Sequence, residues 1–177
     1  MPIDKDTLSS LIESIYECVL DRSQWTLTLE RLAGVFHACN AIIFSQGVRE
    51  LSFGFDWGVP AEAKIAYAEK YAAMDPMRTM DWHFEVDYPI TLARFIGSQE
   101  FRKTKFYCEY VAPLGWIDFL TVILEKSSTQ VTTFGFSRDV TRGPFGEQEA
   151  ELIRLLAPHV RRATNFMTSS TMPRHAL

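Results

Sequence analysis

Apolar residues recur at three-to-four spacing over residues 7–20, at Leu8, Leu11, Ile12, Ile15 and Val19. That is one face of an α-helix, with Asp4 or Asp6 placed to cap it. The polar break D-R-S-Q separates it from a second helix over 25–36, striped by Leu29, Leu32, Ala33 and Phe36. The period then changes. A-C-N-A-I-I-F-S, 38–45, is short, β-branched and aromatic and predicts a buried strand. After a turn at 46–50, L-S-F-G-F-D-W alternates, placing Leu51, Phe53, Phe55 and Trp57 on one face of a second strand. The two form an antiparallel hairpin, closed by Gly58 and Pro60.

An Ala-, Glu- and Lys-rich helix comes next, over 61–73. Pro76 discourages helical geometry at Asp75, so the helix ends there. D-W-H-F-E-V-D-Y, 81–88, alternates without a fault: Trp82, Phe84, Val86 and Tyr88 share one face, and Asp81, His83, Glu85 and Asp87 the other. An extended segment is expected, an edge strand or a lid, with a helix over part of it as the alternative. Residues 98–112 read as helix, stopped by P-L-G at 113–115. Two strands, 117–124 and 130–137, make a second hairpin. The last helix spans 147–167, with Leu152, Leu155, Leu156, Val160, Ala163 and Met167 on its stripe and Pro158 inside it, where a kink is expected.

Two hairpins separated by helices build one antiparallel sheet. Its strands carry more Phe, Ile and Val than one solvated face allows, so helices must cover both sides. The expected fold class is α/β, an antiparallel sheet sandwiched by helices (α/β/α, PAS/GAF-like). One sensor-like domain over 1–167 and a flexible polar tail over 168–177 are expected.

Composition narrows the function. The chain has 177 residues, 47% apolar and 23% charged, with 13 Phe, enough for one core with bulky walls. The net charge of −4 gives no global basic field for nucleic acid. No apolar run approaches the roughly 20 residues needed to cross a bilayer, and the polar start M-P-I-D-K-D lacks a signal-peptide core. A cytoplasmic location with no membrane contact is expected. Cys18, Cys39 and Cys108 form no metal or disulfide pattern and read as buried reduced thiols.

No nucleophile or zinc motif and no phosphate-cradling glycine loop is present, so neither catalysis nor a cofactor is expected. Asp81, His83, Glu85 and Asp87 span too far along a strand to chelate one ion and read as a solvated face. Arg154, Arg161 and Arg162 also read as solvated, and His37 and His159 as helix-end or surface residues. In Y-A-E-K-Y-A-A-M-D-P, Tyr67, Tyr71 and Asp75 fall at i, i+4 and i+8. Turned inward, they would bring two hydroxyls and a carboxylate among apolar walls, as a small-molecule pocket requires. Asp75 would then accept a ligand N–H and a tyrosine would donate to a carbonyl. Turned outward, the tyrosines pack with wet tips and Asp75 caps the next helix. Phe53, Phe55, Trp57, Trp82, Phe84, Trp116 and Phe119 would wall a ligand or simply fill a Phe-rich core.

Four stretches in order resemble the N-terminal sensor domains of LuxR-type transcription regulators: L-I-E-S-I-Y-E-C-V-L-D-R-S-Q-W (11–25), Y-x-x-x-D-P (71–76), F-Y-C-E-Y-V-A-P-L-G-W-I-D (106–118) and G-P-F-G-E-Q-E-A-E-L-I-R-L-L-A-P-H-V-R-R-A (143–163). The resemblance covers most of the chain. It implies a quorum-sensing type of regulatory domain that binds a small, largely apolar ligand between sheet and helices. Asp75 would be the amide-binding residue, and Tyr67, Tyr71, Trp57, Phe55, Trp82, Trp116 and Phe119 the other candidates. It also implies a homodimer, for which Val160, Ala163, Phe166 and Met167 of the last helix are the candidate surface. Such regulators continue into a helix-turn-helix that this sequence does not show. The expectation is an excised domain, or a protein without that half, making no direct DNA contact by itself. The tryptophan those domains carry four residues before a pocket tyrosine is absent from A-E-A-K-I-A-Y-A, and Gly146 stands where Ser or Thr would complete a capping box. The alternative is a ligand-free PAS-like dimerisation or antagonist module. A pocket of several hundred cubic ångströms lined by Tyr71 and Asp75 would favour sensing; a solid core would favour the module.

Overall fold

The structure, a computed structural model, describes residues 4–47 and 51–170. Helix α1 (Lys5–Leu20) starts at Asp4, whose carboxylate accepts from the Thr7 N–H at 2.9 Å, so Asp4 rather than Asp6 is the cap. A 3-10 turn (Arg22–Gln24) leads into α2 (Trp25–Val35), and His37 closes that helix end at φ 49°. Then come β1 (Asn40–Gly47), β2 (Leu51–Trp57), α3 (Ala61–Ala66), α4 (Pro76–Met80), β3 (Ile90–Thr91), α5 (Leu92–Phe95), α6 (Ser98–Arg102), β4 (Trp116–Lys126), β5 (Gln130–Asp139) and α7 (Glu147–Ser170).

The five strands form one antiparallel sheet in the order β2-β1-β5-β4-β3. Both hairpins read from the sequence are present, joined through the β1–β5 pair. The β1–β2 register slips at Gly54: Ile43 pairs with Phe55 but Phe44 with Phe53, so the uniform alternation expected along β2 is broken. The side chains of 51–53 lie outside the described residues.

Alternation along the inner strands sends two different sets of residues to the two faces. Ala41, Ile43, Leu120, Val122, Phe134 and Phe136 meet α1, α2 and α7, whose contributions include Leu11, Ile15, Trp25, Leu29, Ile153 and Val160, in one large apolar core. Each large side chain buried there contributes about 1.5–3 kcal/mol of transfer free energy. The expected stripe of α7 is spent here: Val160 and Ala163 are fully buried within the chain. The side chains of Phe166 and Met167, the rest of the candidate dimer surface, lie outside the described residues. Helix α7 runs on to Ser170, past its expected end at Met167, and 171–177 lie outside the described residues.

Pro158 sits inside α7 and denies a donor to the carbonyl of Arg154. At the helix start, Glu149 reaches back to the Gly146 N–H at 2.9 Å, half of a capping box without the hydroxyl half. Among the described residues no helix is long and apolar enough to cross a membrane.

The segment 81–88 departs from the expected extended form. Residues Asp81–His83 make a 3-10 turn, Asp87 takes φ 63°, and only Val86 bridges the sheet, parallel to Ile123. There the turn buries Asp81 against Gln46 and leaves Trp82 partly buried against Ile90, Ile123 and Val131. Asp87 is bound by Arg161 at 2.6 Å, so neither is simply solvated as expected. Cys18 is buried and Cys39 half-buried, but Cys108 is exposed, against the expectation of three buried thiols.

Candidate functional site

The second face of the sheet is covered by the chain between β2 and β4, and a cavity of about 130 Å³ lies beneath that cover. Its floor sets small and polar side chains, Asn40 from β1, Thr121 from β4, and Thr133, Gly135 and Ser137 from β5, beside the apolar Ile42 and Phe44 of β1. A Cβ on Gly135 would stand 3.0 Å from the Leu120 carbonyl and from Thr121 Oγ1, so glycine keeps this part of the floor low.

The roof is made by helix whose pitch changes. The expected helix over 61–73 begins as α3, loosens to a π turn over Tyr67–Tyr71, in which the Ala72 N–H donates to the Tyr67 carbonyl, and tightens to a 3-10 turn over Ala72–Met74. A matching π turn over Tyr107–Val111 faces it. Rings interlock between the two: Tyr67 and Tyr71 lie 5.6 Å and 5.0 Å from Tyr110, centroid to centroid. Each wide turn inserts a residue into the helical repeat and re-aims the side chains beyond it. Tyr67 points inward and is buried. Tyr71 does not line the cavity; its hydroxyl accepts from Lys70 Nζ at 3.0 Å on an exposed side. The straight-helix triad of the sequence is thereby reduced to a pair.

That pair is closely joined. The Tyr67 hydroxyl donates to Asp75 Oδ2 at 2.7 Å, while Asp75 Oδ1 accepts from the Met77 N–H at 2.9 Å. Pro76 holds Asp75 extended at φ −71°, ψ 112°, so it both caps α4 and faces the cavity. Capping the next helix therefore does not turn Asp75 away from the cavity. Burial pushes the Asp75 carboxyl above its usual range, opposed by the Tyr67 and Met77 bonds. Burial and then the Asp75 charge push the Tyr67 phenol well up, and the Tyr110 phenol up to about 12.

Sequence reasoning missed a second carboxylate. Asp81 is 5% exposed and accepts from Gln46 Nε2 at 2.6 Å. Burial first, and the Asp75 charge second, raise its pKa to about 7.

The expected aromatic walls divide. Trp116 and Phe119 line the cavity with Val59, Met77 and Phe106. Phe55 and Trp57 do not: they pack toward the other face, Phe55 stacked on Trp25 at 5.3 Å. Trp82 and Phe84 belong to a small cluster with Ile90, Ile123 and Val131 beside the cavity. The missed floor residues had a signal in the sequence: on strands buried on both sides, one face of β5 reads Thr, Gly, Ser. Among the described residues no group of three His, Cys, Asp or Glu could hold a metal ion.

No family model matches the chain, and no curated protein sequence does. Solved structures do match its fold. The VqsR LBD domain from Pseudomonas aeruginosa superposes with a TM-score of 0.70 at 16% identity, over 93% of this chain and 95% of that one. The N-acylhomoserine-lactone-dependent LuxR-family factor CepR2 from Burkholderia cenocepacia gives 0.64 at 11% identity, over 96% and 98%. The GAF domain of a phosphoenolpyruvate-protein phosphotransferase from Coxiella burnetii gives 0.62 at 14%, over 95% and 98%. The fold is the one shared by LuxR-family ligand-binding domains and GAF domains.

Proposed function

We propose that this chain is a small-molecule-sensing regulatory domain of the LuxR type, without catalytic activity of its own. The observation that carries the reading is the buried Tyr67–Asp75 pair, which opens on an otherwise largely apolar cavity between sheet and helices. A few placed polar groups among apolar walls are what a small-molecule site needs. Because the Tyr67 proton is committed to Asp75, the pair presents acceptors, and the ligand is one that brings an N–H or O–H to them. Binding would favour one arrangement of the domain or its dimer and act on transcription through a DNA-binding segment, in the cytoplasm.

The cavity also limits the ligand. An apolar cavity of about 150 Å³ admits benzene, so the 130 Å³ present suits one ring rather than a long acyl chain. It falls short of the several hundred cubic ångströms expected of a sensing pocket, and Tyr71 is not in its wall. This small size favours, as a second reading, a ligand-free dimerisation or antagonist module.

Native mass spectrometry of the purified domain, alone and after exposure to cell extract, tests the two. Retention of a small molecule that is lost in Tyr67→Phe but kept in Tyr71→Phe supports sensing. No added mass under any extract, with a dimer throughout, supports the module.

A further inference from the structure

We propose that Asn40 is a specificity-determining residue of this cavity, selecting a ring-sized ligand that offers a hydrogen-bond acceptor to the β1 end of the floor. This deepens the ligand-binding reading above and rests on it.

Asn40 is 1% exposed, lines the cavity, and its Nδ2 has no hydrogen-bond partner. A buried amide donor without an acceptor is a standing cost to the fold, and an apolar side chain of similar shape would avoid it. Gly58 (φ 76°) packs so closely on β1 that a Cβ there would meet the Cys39 carbonyl, and would lie 3.1 Å from Asn40 Cα and 3.3 Å from its Cβ.

Direction distinguishes Asn40 from the other unpartnered floor group. Thr133 Oγ1 is also buried without a partner, but a hydroxyl donates or accepts and therefore discriminates little. It lies four residues along the ladder, since Asn40 pairs with Ser137 and Phe44 with Thr133. That is about 13 Å at roughly 3.3 Å per residue, so the two groups meet opposite ends of the cavity floor. The Asn40 amide N–H₂ only donates. A ligand without an acceptor leaves the Asn40 amide unmatched, and one that offers an acceptor there satisfies it.

The test uses two phenols of nearly equal shape, 4-cyanophenol and 4-ethynylphenol, titrated by NMR against the wild-type domain, Asn40→Leu and Asp75→Asn. The expected result is a wild-type preference for the nitrile about tenfold beyond that of Asn40→Leu, with the alkyne bound alike by both. The same preference ratio in the two proteins overturns the assignment while leaving the sensing reading intact. Loss of the preference in Asn40→Leu with undiminished binding by Asp75→Asn supports Asn40 and removes Asp75 from the site. Binding of neither phenol overturns the Asn40 assignment, while the sensing reading stands or falls on the extract experiment. Without ligand, Asn40→Leu is expected to melt at a higher temperature than wild type. A lower melting temperature, or failure to fold, would make Asn40 a structural brace and overturn the proposal.

Discussion

The Tyr67 hydroxyl lies 2.7 Å from Asp75 Oδ2, and the other oxygen of that carboxylate caps the next helix through the Met77 N–H. One acid thus joins the π turn to α4, and removing its phenol partner has a defined cost. Tyr67→Phe leaves a buried carboxylate oxygen without its donor and is expected to lose about 1–2 kcal/mol. The Tyr67 bond holds the Asp75 pKa down against burial, so its loss raises that pKa further. The destabilisation is therefore expected to grow as pH rises and Asp75 ionises. Urea denaturation across a pH series measures it. Tyr71→Phe, which removes only a hydroxyl paired with exposed Lys70, is expected to stay within about 0.5 kcal/mol.

Asp81 gives the fold a pH dependence of definite sign. Its folded pKa is about 7 against an ordinary 3.8, so between those values the folded chain keeps a proton that the unfolded chain has released. Stability from this group falls as pH rises from 4 to 7 and is flat above. At 1.36 kcal/mol for each tenfold step, the whole change is bounded at about 4 kcal/mol. Asp81→Asn keeps an acceptor for Gln46 Nε2 and cannot ionise. Its stabilisation over wild type is expected to grow from near zero at pH 4 to a maximum above pH 7, read as a difference in melting temperature across a pH series. A constant difference at all pH values would show that Asp81 does not titrate in this range.

These groups also mark where the sequence was legible. The hairpins and α1, α2 and α7 come directly from periodicity, because one face of each must be apolar. The 61–73 helix was legible in extent but not in pitch, since its π turn is coupled to the ring of Tyr110, forty residues away in the chain. Pitch decided which tyrosine entered the site. Asp81 and Asn40 were hidden for a different reason. A polar residue in an alternating segment reads as solvent-facing, whereas here Asn40, Gln46 and Thr133 sit on a buried face. The two-residue β3 is too short for any periodicity to show.

Two glycines with nearly the same backbone angle separate conformational strain from crowding. Gly58 (φ 76°) and Gly115 (φ 75°) are both left-handed, but a Cβ at Gly115 meets nothing within 4 Å, while one at Gly58 collides with the Cys39 carbonyl. Gly115→Ala should cost only the left-handed penalty of about 1–2 kcal/mol. Gly58→Ala adds a backbone clash of about 1–3 kcal/mol, and is expected to be the more damaging of the two in denaturant titration. Equal costs would mean that the β2–α3 loop yields without effort.

Arg138 ties β5 to the end of α2 and the start of α7. It is 4% exposed and donates to the Phe36 carbonyl from Nε and Nη2 at 3.1 and 2.6 Å, to the Pro144 carbonyl at 3.1 Å, and to Glu149 at 2.7 Å. Its guanidinium also lies over the Phe145 ring at 4.2 Å. One side chain on β5 therefore holds the C-terminal carbonyl of α2, the loop before α7 and the first turn of α7. Arg138→Met orphans a buried carbonyl and a half-buried carboxylate, and about 2–4 kcal/mol is expected to be lost. Glu149→Gln alone leaves the buried guanidinium with neutral acceptors and costs less, because three carbonyl contacts remain. With both changed, the ionic part of the loss is already absent, so the double variant should be more stable than the sum of the singles by about 1–3 kcal/mol. Strict additivity in that cycle would mean the pair carries no coupling, and that Arg138 acts through the carbonyls alone.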